Sequence, residues 1–398
     1  MLKNKTVVIG VTGSIAAYKM ANVCSMLVKM HADVHVIMTR NAVNFINPIT
    51  FETLTSHKCL VDTFDRNFEF NVEHVSLAKQ ADIFIVAPAS ADIIGKIAGG
   101  IADDMLTTTI MAAKCPKLIS PAMNTNMLEN PIVQDNIHKL QSYGYEIIQS
   151  ATGYLACGDT GAGKLPPEEL LVDYILKYIA RPKDMAGIKV LVTAGPTREA
   201  IDPVRYITNH STGRMGYELA RAAMLRGADV TLVSGPTDLK PPEFVKAVDI
   251  TSARDMYEAV VSRSDEQDII IKAAAVADYR PKDIATEKIK KSDTDMSIEL
   301  ERTDDILLFL GSHKREGQFI CGFSMETKDM IAHSREKLIN KNIDMIAANN
   351  LKEPGAGFGG DTNILTIITK DGERSLPLMS KSACADELLD AIMNKINK

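Results

Sequence analysis

Residues 188–216 read IKVLVTAGPTREAIDPVRYITNHSTGRMG, and this stretch decides the fold. A short apolar run at 190–192 stops at Thr193-Ala194-Gly195-Pro196. A polar loop follows, and Gly213-Arg214-Met215-Gly216 opens a helical pattern; Ser211 and Thr212 either cap that helix or belong to a phosphate or acyl-phosphate cradle. An apolar strand that breaks into a glycine-rich loop and then a helix is how α/β proteins build anion sites. The loop's free N–H groups and the helix N-terminus both favour negative charge. The same grammar stands once earlier, at residues 5–19, KTVVIGVTGSIAAYK. The chain thus begins a nucleotide-type fold twice.

The pattern around these two starts repeats. Residues 6–11 form a continuous apolar run, as in a buried parallel strand. Thr12-Gly13-Ser14 turns, with Ser14 as N-cap of a helix over 15–30, and Ala32-Asp33 leads into a strand at 34–38. Further strands are predicted at 81–86, 117–120 and 146–149, with a helical stretch at 92–98 and a helix from Pro167 to about residue 180. The glycine-rich segment 153–164 reads as a mobile lid loop. In the second half, a helix over 214–226, Gly227-Ala228-Asp229, a strand at 230–233 and another at 269–271 retrace the first half. Residues 181–187, RPKDMAG, have no apolar period and separate 1–180 from 188–398. The prediction is an α/β protein of two doubly wound, Rossmann-like parallel-sheet domains, with ligands at the carboxyl ends of the strands.

A length of 398 residues suffices for two such domains, and 45% apolar with 24% charged residues is a globular composition. A net charge of −6 argues against a nucleic-acid binder. No apolar run reaches membrane-spanning length, and the N-terminus lacks a signal-peptide layout. The six cysteines are scattered without a C-x-x-C pair, which disfavours a zinc ribbon or a disulfide framework and favours a cytoplasmic protein. His31 and His35 straddle a helix end and a strand and read as ordinary histidines.

Gly10-Val11-Thr12-Gly13-Ser14 lacks G-x-G-x-x-G spacing and suits a single phosphate held by N–H groups and hydroxyls. Small polar sets at later strand ends, Thr39, Ser90 and Thr107 with its neighbours, would complete an FMN-sized crevice. His74 is a candidate acid or base, although a lone histidine is more often a surface or cap residue. Asn124 in Pro-Ala-Met-Asn either orients a substrate carboxylate or closes a turn. Cys157, between Ala156 and Gly158, reads as a reactive thiol or proton donor rather than a buried apolar residue. In the second half, the Asn209 amide could donate to a phosphate or acyl-phosphate. The small residues at 273–277, Ala273 and Ala274 among them, admit a base or ribose. Asp278 holds Mg2+ or a ribose hydroxyl, or starts a turn. Lys288 stands in a small basic cluster, and Lys337 and Lys341 share a helical face; each either binds phosphates or is solvated.

Together these residues point to known families. Residues 5–180 resemble the flavin-dependent cysteine decarboxylases that act on 4'-phosphopantothenoylcysteine. The likeness runs through residues 13–19, GSIAAYK, His74, Pro88-Ala89-Ser90-Ala91-Asp92, Pro121-Ala122-Met123-Asn124 and Ala156-Cys157-Gly158-Asp159. Residues 188–395 resemble phosphopantothenate–cysteine ligase. Here the likeness runs through Thr193-Ala194-Gly195-Pro196-Thr197, Ile207-Thr208-Asn209-His210-Ser211, residues 274–280, Lys288-Ile289-Lys290-Lys291, Gly322-Phe323, Lys337, Lys341 and Ala347-Ala348-Asn349. In this order the halves resemble the bacterial bifunctional proteins of coenzyme A biosynthesis.

The resemblance implies that 4'-phosphopantothenate is activated by CTP as an acyl-cytidylate and joined to L-cysteine. The product is then oxidised by FMN, loses CO2 and is reduced again. Gly13, Ser14, Thr39, Ser90 and Thr107 would bind FMN. His74 would assist the oxidative half, Asn124 would hold the carboxylate, and Cys157 would supply the final proton. Asn209 would contact the acyl-cytidylate. CTP would meet Lys272, Ala273, Ala274, Asp278, Lys288, Asp305, Ile306, Phe323, Lys337 and Lys341, with Mg2+ at Asp278. A homo-oligomer is implied too, a dodecamer with trimeric decarboxylase and dimeric ligase contacts. Thr303-Asp304-Asp305-Ile306 departs from the family's Asn-Pro-Asp-Ile, and Lys272 stands where a small residue is common. Segment 349–362, with Gly355, Gly357, Gly359 and Gly360, reads as a loop that closes over substrate. The alternative, a flavin oxidoreductase with a dinucleotide-binding second half, needs a fingerprint that residues 193–196 do not carry. A non-catalytic regulatory flavoprotein would be expected to lack His74 or Cys157, and both are present.

Overall fold

The computed structural model describes residues 1–63, 73–154, 158, 160–291, 296–326, 329–350 and 360–396. The chain divides into two compact units, Met1–Pro182 and Lys183–Lys398. Among the described residues no helix is long and apolar enough to cross a membrane. The five described cysteines are free.

The first unit is built on β1 (Thr6–Val11), β2 (Asp33–Met38), β3 (Ile83–Ala89), β4 (Lys117–Pro121) and β5 (Glu146–Ile147). They form one parallel sheet in the order β2-β1-β3-β4-β5. Its helices are α1 (Lys19–Lys29), α2 (Pro48–Thr55), α3 (Glu73–Gln80), α4 (Ala91–Gly99), α5 (Met105–Ala112), α6 (Thr125–Leu128), α7 (Pro131–Ser142) and α8 (Glu168–Ile179). β1 and β3 are apolar throughout because both faces of the sheet are covered. Val8, Phe84, Val86 and Ile119 share a core with Leu77 of α3, Ile93 of α4, Leu106 of α5 and Ile137 of α7. The alternating Val7, Ile9, Ile83 and Ile85 are equally buried on the other face, the side of α1 and α8.

Two local readings are corrected here. The helix expected over 15–30 is a short 3-10 turn, Ile15–Tyr18, followed by α1; Ser14 does cap it, accepting from Ala16 N at 3.4 Å. The segment read as a lid loop is an antiparallel hairpin of β6 (Ala151–Tyr154) and β7 (Thr160–Lys164). Its strands carry glycine and threonine rather than alternating apolar residues, so no period-2 signal reveals them.

The second unit carries an eight-stranded sheet of β8 (Lys189–Ala194), β11 (Asp229–Ser234), β12 (Lys246–Asp249), β13 (Ile269–Lys272), β16 (Phe319–Glu326), β17 (Met345–Asn350), β19 (Leu365–Thr369) and β20 (Gly372–Ser375). The order is β12-β11-β8-β13-β16-β17-β19-β20. The first six run parallel, in the winding of a dinucleotide-type fold, and the last two add an antiparallel edge. Small hairpins and bridges are made by β9 (Arg198–Ala200) with β10 (Tyr206–Thr208), β14 (Tyr279–Pro281) with β15 (Leu300–Arg302), and β18 (Thr362–Asn363) with β21 (Met379–Ser380). Helices α10 (Ala253–Ser264), α11 (Ile306–Ser312) and α12 (Met330–Asn340) bury Val260, Leu310 and Leu338 against Leu191, Ile270 and Ile320. α9 (Arg214–Leu225) packs with α13 (Lys381–Ile396) and against β8.

Lys183 to Gly187 is less a free linker than the sequence suggests. Met185 is buried, and Arg226 pairs with both Asp184 and Asp390, tying it to α9 and α13. Ser211 and Thr212 do not cap α9 as expected. Gly213 takes the cap position at φ 78°, and α9 has no side-chain cap. The left-handed turn brings Gly213 onto Gly195, where an added Cβ would lie 3.3 Å from the Gly195 backbone.

Candidate functional site

In the first unit, the expected cofactor residues gather at the carboxyl ends of the strands. The sheet reverses its winding between β1 and β3, the point where folds of this order hold flavin mononucleotide. Thr12 bridges the two strands: its hydroxyl donates to Pro88 O at 2.6 Å and accepts from Ser90 N at 3.0 Å. Gly13 follows, packed so closely on Asn41 that a Cβ would come within 2.8 Å of it. Ser14 and Ser90 cap the Ile15–Tyr18 turn and α4, Ser90 accepting from Ile93 N at 3.4 Å. A capping hydroxyl accepts through a lone pair and keeps its proton to donate, so both suit a phosphate. Thr39 follows β2 and accepts from Ala42 N at 3.3 Å. Thr107 is buried in a capping box with Asp104, its hydroxyl 2.7 Å from the carboxylate, which ties up its proton.

His74 is half-buried in the first turn of α3, the helix that packs on α5. Asn124 caps α6, accepting from Asn126 N at 2.9 Å. The β6–β7 hairpin docks on that segment through its backbone. Met123 N donates to Gly163 O at 3.0 Å, and Thr125 Oγ1 donates to Ala162 O at 2.8 Å. Gly163 sits at φ 111°, and a Cβ there would lie 2.2 Å from Met123 O. Cys157 lies outside the described residues, in the chain between β6 and β7.

In the second unit, a cavity of about 790 Å³ opens where the winding reverses between β8 and β13. Its walls are residues 211–216, 272–279 and 302–308, with Phe323, Ser324, Met325, Lys337, Lys341, Ile346, Asn349, Asn363 and Lys381. Lys341 pairs with Asp305 at 2.9 Å, and Asp305 also caps α11 by accepting from Leu308 N at 3.0 Å. Desolvation raises the Asp305 carboxyl, but the Lys341 and Leu308 contacts outweigh it and leave it below the usual carboxylate range. Burial pushes the Lys272 ammonium down to about 8, with Asp305 opposing and Lys341 adding to the shift.

A family model described as "Flavoprotein" matches residues 1–180, and one described as "DNA/pantothenate metabolism flavoprotein C-terminal domain" matches residues 185–396. The coenzyme A biosynthesis bifunctional protein CoaBC of Bacillus subtilis (strain 168) is 49% identical over 396 residues, spanning 98% of this chain and 97% of that protein. This chain belongs to the family of bifunctional coenzyme A biosynthesis proteins. The relative from Escherichia coli (strain K12) is 39% identical over 400 residues, 100% of this chain and 98% of its own. Among solved structures, the C-terminal domain of a CoaBC protein is 44% identical, covering 54% of this chain and 98% of its own at a TM-score of 0.47. A PPC decarboxylase mutant complexed with pantothenoylaminoethenethiol is 28% identical, covering 43% and 96% at 0.39.

Within this family member, the sequence-predicted ligase residues fall unevenly. Lys272, Ala273, Ala274, Asp278, Asp305, Ile306, Phe323, Lys337 and Lys341 all line the cavity. Lys288 does not; it is exposed in a segment fastened from below. Buried Asp202 accepts from Val204 N and Arg205 N at 2.8 Å, from Arg205 Nε at 3.0 Å and from Ile289 N at 3.1 Å. Asn209 spends its amide on the protein: Nδ2 donates to Ala275 O at 2.6 Å and Oδ1 accepts from Ser211 N at 3.0 Å. It thereby sets the 211–213 loop against the cavity wall. The departure at Thr303 is met locally, since its hydroxyl donates to Ala277 O at 2.7 Å and its N–H to Asp278 O at 3.0 Å. Lys381 was not foreseen. It is buried at the start of α13, its ammonium donates to Gly360 O, and burial beside Arg214 holds it below the usual lysine value. No local pattern marks it, because α13 is more than a hundred residues from the β13 loop it faces. Residues 351–359 of the expected closing loop lie outside the described residues.

Two outcomes follow from this geometry. Gly163→Ala adds strain of about 1–3 kcal/mol from the backbone angle alone, before the clash with Met123 O. Limited proteolysis within 150–164 should speed up by about tenfold or more; an unchanged rate would mean that the hairpin does not dock as described. For Asp202, desolvation is outweighed by the Val204, Arg205 and Ile289 N–H groups and the Arg205 guanidinium, which bring the carboxyl down to about 2. A carboxyl depressed in the fold contributes stability above its unfolded value, about 3.9, and loses it as pH falls toward 2. Asp202→Asn should therefore lower the thermal midpoint at pH 6, with the gap from wild type closing between pH 4 and 2. A gap independent of pH would refute the charge-based role.

Proposed function

We infer that this chain catalyses two consecutive steps of coenzyme A biosynthesis. The second unit joins L-cysteine to 4'-phosphopantothenate at the expense of CTP, and the first unit decarboxylates 4'-phosphopantothenoylcysteine to 4'-phosphopantetheine. The observation that carries this reading is the end-to-end kinship with bifunctional relatives, together with a lysine-rich cavity at the winding reversal of the second sheet. The reading supported by the strand-end hydroxyls is that FMN binds the first unit, its phosphate at Gly13, Ser14 and Ser90, with Thr39 and Thr107 nearby. When bound, FMN supplies a two-electron acceptor and donor for the cysteinyl carbon. His74, half-buried in the first turn of α3, is the candidate to take the proton released in oxidation. Asn124, whose side-chain oxygen caps α6, is the residue of this segment that would meet the substrate carboxylate. Cys157 delivers the final proton.

In the second unit, Lys272, Lys337 and Lys341 neutralise the triphosphate, and the alanines at 273 and 274 admit the nucleoside. Phe323 and Ile306 flank the base. Asp278, exposed at the rim, holds Mg2+ with the CTP phosphates. Lys288, exposed outside the cavity lining, would have to swing in to meet the phosphates, and Asn209 orients the loop that meets the acyl-cytidylate. Exposed apolar side chains near the first-unit strand ends, Ile15, Tyr18, Phe45 and Ile49, suit the trimeric contacts of a homo-oligomer, and dimeric contacts would fall in the second unit. The protein works in the cytoplasm.

The purified protein, given 4'-phosphopantothenate, cysteine, CTP and Mg2+, should be yellow and yield 4'-phosphopantetheine, CMP, pyrophosphate and CO2 by mass analysis. Cys157→Ser should still release CMP and CO2 but stop before the thiol product; full thiol yield would remove Cys157 as proton donor. For Lys272, the ammonium is charged below about pH 8 and neutral above it. The KM for CTP should therefore rise between pH 7.5 and 9 in the wild type and stay flat in Lys272→Arg, whose guanidinium does not titrate there. The same rise in both proteins would assign the titration elsewhere.

A further inference from the structure

At the amino end of β2, opposite the strand ends that carry Ser14, Thr39 and Ser90, three side chains converge that none of this chemistry uses. Asp33 opens β2 and pairs in register with Thr6 at the start of β1. His35, two residues on, shares its face. The chain after α2 returns alongside β2, where Leu60 N donates to Val36 O at 3.0 Å and Met38 N to Leu60 O at 2.8 Å. That return lays His57 over His35, with ring centroids 4.1 Å apart and planes within 20°. Both imidazoles aim Nε2 at one carboxylate: His57 at Asp33 Oδ1, 2.6 Å, and His35 at Asp33 Oδ2, 3.1 Å. The three donor atoms lie within 4.8 Å of one another.

We propose that Asp33, His35 and His57 form a binding site for a divalent transition ion of the zinc type. Two imidazole nitrogens and one carboxylate oxygen are a donor set suited to Zn2+ and its neighbours. Donors on a tetrahedral ion with bonds of 2.0–2.1 Å stand about 3.3 Å apart. The three donor atoms lie within 4.8 Å of one another, so small side-chain rotations bring them to that spacing, and the Asp33 side chain is 45% exposed and has room to swing outward. The same exposure leaves the remaining coordination position to water. A bound ion replaces the protons between the rings and the carboxylate and pins the 56–60 segment to β2. It therefore stabilises the first unit without touching the strand ends where FMN is placed.

The test is calorimetric titration of the chelator-treated full-length protein with Zn2+. Wild type, Asp33→Asn, His57→Gln and the surface control His138→Gln would be compared. Other thiols and imidazoles can also take up zinc, so the readout is the equivalent that the variants lose. Wild type and His138→Gln should share one tight equivalent that is absent, or at least tenfold weaker, in Asp33→Asn and His57→Gln. A Zn2+-dependent rise in thermal midpoint should likewise vanish in those two. Because His57 is partly exposed and outside regular structure, His57→Gln should fold, and its metal-free thermal midpoint checks this. Equal stoichiometry and affinity in all four proteins would overturn the site.

Discussion

A buried threonine hydroxyl closes the gap where each sheet reverses its winding. At such a point the flanking connections leave toward opposite faces, and the backbone groups at the strand ends lose their ladder partners. In the first sheet Thr12 supplies both a donor, to Pro88 O, and an acceptor, for Ser90 N. In the second, Thr193 accepts from Ala274 N and Thr197 from Ala277 N, each at 3.1 Å. All three threonines are at most 1% exposed. A bond of this kind contributes about 1 kcal/mol net, and an orphaned partner costs about 1–3 kcal/mol. Gly13, Ser14 and Ser90 sit within two residues of the first tie, and Ala273, Ala274 and Asp278 adjoin the second. The candidate binding residues are thus held by the same bonds that let the sheet divide, which leaves the crevice open without leaving it loose.

This arrangement explains which parts of the molecule could be read from the chain. Continuous apolar runs at β1, β3, β8 and β13 announce strands buried on both faces, and the loop–helix starts after β1 and β8 announce the winding. The cavity residues at 272–278 were legible because they follow directly on a strand end. The β6–β7 hairpin was not, since its strands are glycine- and threonine-rich and are held by backbone contact with Met123 and Thr125. Nor was the bare cap of α9. Ser211 and Thr212 look like caps, but the close approach of Gly213 to Gly195 demands a left-handed turn one residue later. Lys381 and the His35–His57 pairing depend on contacts between distant segments, for which a single sequence carries no local signal.

A chain of net charge −6 that handles a polyanion must keep its positive charge local. The second-unit cavity does so: Arg214, Lys272, Arg302, Lys337, Lys341 and Lys381 line it against Asp278, Asp304 and Asp305. Concave walls of one predominant sign concentrate the field inside the cavity. The crowding has a cost in the free protein, visible where burial and neighbouring cations lower the pKa of Lys272 and Lys381. A triphosphate reverses that term, since an anion beside each ammonium favours its charged form. Asp305 moderates the crowding by holding Lys341 while the site is empty, and as the N-cap of α11 it is anchored to do so. The cavity is accordingly least comfortable without an anion, and a polyanion that enters it gains affinity from relieving that state as well as from new contacts.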